Sequence, residues 1–213
     1  MEYCMIPMSN LKITQGRFVA PSHQTRNAYD IAGLDSGIEN LTAPFTAKVK
    51  YVSSSSLVLI TNVNQVKLAN GSVHNAETLQ AYFFHDNSVS DLSVGQIIPQ
   101  GSVFYQEGTL GNATGNHVHM QMCDTAYTGG YPLIEISPDV WDLKGNKVNI
   151  EDFYYISQST NVLNDQGYNF KLVENVDPDD PVDPVDPVDP VDPILDLHTK
   201  NYRFLLFKKS KRV

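Results

Sequence analysis

Near its middle the chain reads Gly108-Thr-Leu-Gly-Asn-Ala-Thr-Gly-Asn-His-Val-His-Met-Gln-Met122. The last six residues alternate between polar and apolar side chains, which is typical of a β-strand with two different faces. On such a strand His117 and His119 share one face, and Val118 and Met120 share the other. The glycines and asparagines that precede the strand predict a turn. This segment therefore places two imidazoles side by side on one face of a sheet.

Three further runs predict strands, at residues 49–52, 57–60 and 79–84. Gly, Ser, Asn, Thr, Val and Tyr are plentiful through the first 170 residues, a composition that favours strands joined by turns. Only residues 149–157 have a helical pattern, with Asn149 as the expected cap. We therefore predict a mainly β domain built on an antiparallel sheet, with one short helix.

A change in composition divides the chain after Val176. The sequence continues Asp-Pro-Asp-Asp-Pro and then repeats Val-Asp-Pro four times. Proline fixes φ and removes hydrogen-bond donors, and the aspartates repel one another, so we expect an extended, solvated spacer. The predicted organisation is a domain at residues 1–170, an acidic linker at residues 171–193 and a basic, aromatic tail at residues 194–213.

Charge and hydropathy exclude several classes of protein. The net charge of −9 argues against a nucleic-acid binder, which needs clustered Lys and Arg. No apolar run is long enough for a transmembrane segment, and the first residues do not have the pattern of a signal peptide. The tail at residues 194–213 has two interpretations: a docking peptide for a membrane surface, a wall polymer or a protein partner, or a poorly ordered end.

Two cysteines, Cys4 and Cys123, could form one disulfide, but the sequence alone does not show that they approach each other. We interpret both as free, buried thiols. Neither belongs to a CxxC motif, so a thiolate zinc site is not expected.

The chain contains the residue types of a hydrolytic zinc site. Such a site needs imidazole and carboxylate ligands, an open coordination position, and a nearby base. His117 and His119 suit one metal ligand and one neighbouring catalytic group. His23 and Asp30 flank a polar, turn-forming segment that can direct two ligands toward one point. An HxH pair alone is common on exposed strands, so the order and surroundings of these residues matter.

Four ordered blocks resemble the lysostaphin/LytM-type family of zinc endopeptidases. Residues 23–33 are similar to the first ligand block ending in Asp-Ile-Ala, and residues 42–49 to the Ala-Pro-x-x-Gly-x-Val strand. Residues 82–101 resemble the Tyr-x-His segment and its following glycine turn. Residues 108–120 resemble the Gly-x-x-Gly-x-x-Thr-Gly-x-His-x-His signature. Residues 148–154 are similar to the closing segment of that family.

This resemblance implies a function and a set of roles. His23, Asp30 and His119 would be the ligands of one zinc ion, and His85 and His117 would flank its open position. His117 would be the general base, and His85 would orient the water or stabilise the oxyanion. The implied activity is hydrolysis of peptide bonds in bacterial cell-wall peptidoglycan, in stems or cross-bridges.

The sequence departs from the family pattern in the first loop and beside the histidine pair. Six residues separate His23 from Asp30, where the best-known members have three, so the loop is longer here. Met120 replaces the usual aromatic residue, and Asn116 replaces a common proline. Two alternatives remain open: a catalytically silent, wall-binding or structural relative, and a non-haem iron site with two histidines and a carboxylate.

The linker and tail also suggest a biological setting. A wall-cutting domain followed by Val-Asp-Pro repeats and a short basic tail resembles bacteriophage proteins of Gram-positive hosts. The expected location is the virion tail, or the host envelope after release as an endolysin at lysis. The tail at residues 194–213 would contact a virion or cell-envelope partner.

Overall fold

The computed structural model describes residues 1–54, 56–89 and 91–173. The predicted tail and residues 174–193 of the predicted linker lie outside these residues. Within the part of the chain that is described, no helix has the length and apolar character needed to cross a membrane.

The described residues form short strands and one helix, numbered in chain order. The strands and helix are β1 Glu2–Tyr3, β2 Asn10–Gln15, β3 Tyr29–Ala32, β4 Asn40–Thr42, β5 Ala47–Val52, β6 Val58–Asn62, β7 Val66–Lys67, β8 Val73–His74, β9 Gln80–Phe84, β10 Ile97–Ile98, β11 Val103–Gln106, β12 Val118–Cys123, β13 Leu133–Ser137, β14 Val140–Leu143, α1 Ile150–Phe153, β15 Tyr155–Ile156, β16 Asn161–Leu163 and β17 Lys171–Leu172.

An eight-stranded sheet organises the molecule, in the order β10-β5-β6-β9-β12-β3-β2-β16. Every neighbouring pair in it is antiparallel except β16 with β2 at one edge. Parallel pairing also joins β1 to β7 and β15 to β17. The prediction of a mainly β fold with an antiparallel sheet is confirmed, and the predicted strands coincide with parts of β5, β6, β9 and β12.

Both faces of the central strands are covered, which explains their continuous apolar runs. In β6 and the residue before it, Val58 and Ile60 contribute to the larger core, whereas Leu57 and Leu59 contribute to a smaller one on the opposite face. Burial on two faces selects apolar residues at every position rather than at alternate ones. Cys4 lies in the larger core and Cys123 in the smaller one, and both are free thiols, as expected.

The predicted helix is shorter than residues 149–157. It spans Ile150–Phe153, and the chain then becomes extended at Tyr154 and enters β15. Asn149 occupies the N-cap position without capping through its side chain. Its amide instead donates to the Asp152 carboxylate at 3.1 Å and accepts from Asn27 at 3.0 Å. The predicted length was wrong because pairing with β17 and burial of Phe153 override the local helical pattern.

Val118 tests the packing under the strand that carries the histidine pair. Its side chain is fully buried in the larger core, whereas that of Val103 in β11 is 58% exposed. We expect Val118→Ala to lower the free energy of unfolding by about 1.5–3 kcal/mol through lost burial and a residual cavity. Val103→Ala is the matched control and should change it by less than about 0.5 kcal/mol in urea denaturation. Equal effects of the two substitutions would contradict this packing.

Candidate metal centre and cleft

The pairing register of two strands brings together two of the predicted ligands. His119 in β12 lies directly opposite Asp30 in β3. His23 lies in the loop between β2 and β3 and is completely buried. The three side chains form a group with the geometry of a metal site. Metal binding by them stays a prediction.

The donor atoms of the three side chains converge. His119 Nδ1 lies 3.0 Å from Asp30 Oδ1 and 3.1 Å from His23 Nε2. His23 Nε2 lies 3.3 Å from Asp30 Oδ1. Zinc ligands at roughly 2.0–2.1 Å in a tetrahedral site are about 3.3 Å apart, so these atoms have the spacing of one tetrahedral face. Two imidazoles and a carboxylate also leave a fourth position open.

A backbone contact fixes the orientation of His23. Its Nδ1 donates to the carbonyl oxygen of Gly16 at 3.0 Å. A carbonyl oxygen only accepts, so Nδ1 carries a proton and Nε2 is the nitrogen that faces Asp30 and His119. Metal-binding histidines are commonly oriented by such an outer hydrogen bond.

The protonation states of two ligands suit a metal. Burial opposes the charge of Asp30, but the neighbouring His119 and His23 imidazoles hold the pKa of this carboxyl well below its usual range. Burial lowers the pKa of His119 to about 4, against the opposing effect of Asp30. At neutral pH Asp30 is therefore ionised and His119 is neutral, as metal ligands must be.

The two predicted catalytic histidines lie beside this group. The ring centroids of His85 and His117 are 4.5 Å apart, and His117 Nε2 lies 3.9 Å from Asp30 Oδ2. Nδ1 of His85 donates to the Leu110 carbonyl and Nδ1 of His117 to the Gly115 carbonyl, each at 2.8 Å. The proton on Nδ1 leaves Nε2 as the nitrogen of each ring that can accept one. Burial lowers the pKa of His85, which favours its neutral form.

The backbone of His85 is held in an unusual conformation. Its φ is +94°, a region that few non-glycine residues adopt. Its N–H donates to Ser56 Oγ at 3.2 Å, and the hydroxyl of Tyr105 donates to the Ser56 carbonyl at 2.7 Å. That hydroxyl also accepts from the N–H of Asp86 at 3.1 Å. This buried network fixes a strained residue at the edge of the cleft, where such strain often accompanies function.

Gly108 lets the segments that carry the two predicted catalytic histidines approach each other. It forms an antiparallel bridge with His117, through backbone hydrogen bonds of 3.2 Å in both directions. A Cβ at this position would lie 2.0 Å from the carbonyl oxygen of His85 and 2.8 Å from the backbone nitrogen of Asn87. Glycine is therefore required at this position of the signature.

A cleft of about 270 Å³ opens over four of the five residues, and the fully buried His23 does not line it. The β13–β14 hairpin forms one wall and contributes Trp141 and Asp139, and the preceding loop contributes Tyr131. The ring of Tyr131 meets those of Trp141 and Tyr51 edge-on, with centroids 5.8 Å apart in each pair. Within residues 124–132, Tyr131 reaches this cleft.

Sequence reasoning missed Arg26, Asp139 and Trp141 as cleft residues. Arg26 lies in the first loop, between His23 and Asp30. A cation between two predicted ligands was the sequence feature that could have indicated a cleft residue. Trp141 is the only tryptophan of the chain and is 41% exposed, but its position in the cleft depends on a hairpin whose packing is not visible in the sequence.

Comparison with known proteins gives structural similarities at low sequence identity. No family model matches the sequence. A zinc-containing peptidase from Vibrio cholerae aligns with a TM-score of 0.40 and 16% identity, covering 55% of this chain and 35% of that one. The chain thus spans about a third of that protein.

Two catalytic domains align over more of their own length. The catalytic domain of the prophage-encoded M23 protein EnpA from Enterococcus faecalis, in a mutant form, has a TM-score of 0.41 and 19% identity over 66% of this chain and 89% of that one. The catalytic domain of the antimicrobial peptidase lysostaphin from Staphylococcus simulans has a TM-score of 0.39 and 14% identity over 55% and 80%. All three TM-scores lie below 0.5, so these similarities carry no argument about function.

Gly108 tests the approach of the two histidine-bearing segments. We expect Gly108→Ala to lower the free energy of unfolding by about 1–3 kcal/mol, because its Cβ overlaps backbone atoms that cannot move alone. Gly115→Ala is the matched control, since a Cβ there meets no atom within 4 Å. Urea denaturation measures both. If Gly108→Ala were as stable as Gly115→Ala, the close packing against His85 would be wrong.

Proposed function

We propose that this chain is a zinc-dependent endopeptidase that hydrolyses peptide bonds of bacterial cell-wall peptidoglycan. One observation carries the proposal: the donor atoms of His23, Asp30 and His119 lie 3.0–3.3 Å apart beneath a cleft that two further imidazoles line. The four sequence blocks that resemble lysostaphin/LytM-type peptidases support the choice of substrate.

In this proposal His23 Nε2, Asp30 Oδ1 and His119 Nδ1 hold one zinc ion. Bound zinc supplies a Lewis acid and lowers the pKa of water to about 7. Asp30 is already ionised at neutral pH and brings a negative charge, and His119 is a neutral donor. The Gly16 carbonyl keeps His23 in the tautomer that this requires.

His117 acts as the general base in this proposal. Its Nε2 is free to accept a proton because Nδ1 is engaged with the Gly115 carbonyl, and it lies 3.9 Å from the Asp30 carboxylate. A carboxylate at this distance stabilises the imidazolium that forms after proton transfer. His117 can then return the proton from Nε2 to the leaving amine.

His85 orients the attacking water in this proposal. It is neutral and donates Nδ1–H to the Leu110 carbonyl, so its Nε2 accepts rather than donates a hydrogen bond. His85 Nε2 can therefore accept a hydrogen bond from a water O–H or from a substrate N–H. The neutral ring is therefore better suited to positioning water than to stabilising an oxyanion.

We also propose a bacteriophage setting, as a lysin that acts at infection or host lysis. The Val-Asp-Pro repeats and the basic tail at residues 194–213 support this setting, with the tail as the attachment point for a virion or envelope partner. Detection of the protein in purified virions would support the tail-associated version, and its absence from them would contradict that version.

Substitution of single histidines tests the role of each one. We expect the purified chain to contain about one zinc per molecule, His119→Ala to lose it, and His117→Ala to keep it while peptide release falls by about 10²–10⁴-fold. Metal content is measured by plasma mass spectrometry and peptide release by mass spectrometry of digested Gram-positive peptidoglycan. His74 forms a hydrogen bond with Ser72 and does not line the cleft. The control variant His74→Ala should therefore behave as wild type.

The contrary results separate the alternatives. Zinc without cleavage would replace the proposal with a catalytically silent module, and iron in place of zinc would indicate the oxygenase-type site. Retention of zinc by His119→Ala would contradict the ligand assignment. Full activity of His117→Ala would transfer the role of base to His85.

A further inference from the structure

Arg26 is fixed in the wall of the cleft by backbone carbonyl groups. Its Nε and Nη2 donate to the Ser22 carbonyl, and its Nη1 donates to the Trp141 carbonyl at 3.1 Å. The side chain thereby joins the first ligand loop to the β13–β14 hairpin. Arginine has five N–H donors, so these three bonds leave one N–H on each terminal nitrogen. Both remaining donors belong to a guanidinium that lines the cleft.

The charge of Arg26 is not neutralised within the protein, as far as the described residues extend. No carboxylate oxygen of these residues lies within 4.0 Å of its guanidinium. Arg17 provides the contrast, because its guanidinium pairs with Glu151 at 2.8 Å. Asp139 lines the same cleft but forms no ion pair with Arg26. A guanidinium held in one place with its charge unpaired is suited to bind an anion.

We infer that Arg26 binds a carboxylate of the peptide substrate and is a specificity-determining residue of the cleft. This inference rests on the proposed function and adds a substrate feature to it. A lysine-type peptidoglycan stem carries two such groups, the α-carboxylate of isoglutamate and the carboxylate of the terminal D-alanine. Both offer the planar pair of oxygens that a guanidinium recognises. Amidation of the recognised group removes its charge and one acceptor.

Binding of three synthetic stem peptides tests this assignment. The first is L-Ala-γ-D-Glu-L-Lys-D-Ala-D-Ala, the second has isoglutamine in place of isoglutamate, and the third has a C-terminal carboxamide. Calorimetric titration of the full chain after removal of metal measures affinity without turnover. We expect one of the two amidated peptides to bind roughly ten-fold more weakly than the first, as for loss of a charged hydrogen bond in a half-exposed site. The affected peptide identifies the carboxylate.

Variants of Arg26 separate recognition from a structural role. Arg26→Gln should bind all three peptides with the weaker affinity, and Arg26→Lys should keep part of the preference because it retains the charge. Lys12→Gln removes the same charge outside the cleft lining and should behave as wild type. Unfolding temperatures of all variants show whether the loop and hairpin stay joined.

The contrary outcomes are distinct. Absence of binding by the wild type, equal affinity of the wild type for all three peptides, or an equal loss of all three in Arg26→Gln would overturn the carboxylate assignment. A clear carboxylate preference in a chain that binds no zinc and cleaves no wall would support Arg26 as a binding residue and reject the enzyme proposal. Zinc-dependent cleavage with no such preference would support the enzyme proposal and reject Arg26 as a carboxylate-binding residue.

Discussion

The pairing of β12 with β3 is the constraint on which the rest of the site depends. It sets His119 opposite Asp30, so two donor atoms meet at 3.0 Å. A slip of one residue would turn every side chain of β12 to the other face of the sheet. Such a slip would expose Val118 and Met120 to the cleft and bury both histidines in the larger core, where they would lack polar partners. The hydrophobic core therefore enforces the register that assembles the candidate metal centre.

A second set of contacts positions the groups around that centre through the backbone. Gly108 allows the segment before β12 to bridge toward His85, and carbonyl groups of Leu110 and Gly115 bond to the Nδ1 atoms of the two catalytic candidates. Backbone carbonyl groups accept hydrogen bonds and carry no net charge. They therefore orient the two imidazoles through Nδ1 and leave each Nε2 available to accept a proton or a hydrogen bond.

The sequence predicts those features that depend on local periodicity. The alternation of β12 and the apolar runs of β5, β6 and β9 are local patterns, and the structure contains those strands. The helix extends over only four residues because pairing between β15 and β17, two distant segments, ends it. Local sequence patterns also could not predict that the β13–β14 hairpin with Trp141 forms a wall of the cleft, because its position depends on tertiary packing. The order of the histidines and Asp30 indicated candidate ligands, whereas their 3.0–3.3 Å spacing required the fold.

The loop between His23 and Asp30 can change in length, and with it the wall of the cleft, while the two proposed ligands stay in place. Asp30 is held by β3, and His23 is held by the Gly16 carbonyl, so only the two ends of the loop are constrained by the centre. The Arg26 N–H donates to the His23 carbonyl and forms a turn within the loop. The Phe18 N–H donates to the Arg26 carbonyl and ties the loop to the residues before His23. Lengthening a loop costs little, about 0.6 kcal/mol for each doubling. Extra residues between the ligands therefore change the wall of the cleft, here by adding a guanidinium, without displacing the atoms proposed to hold the metal.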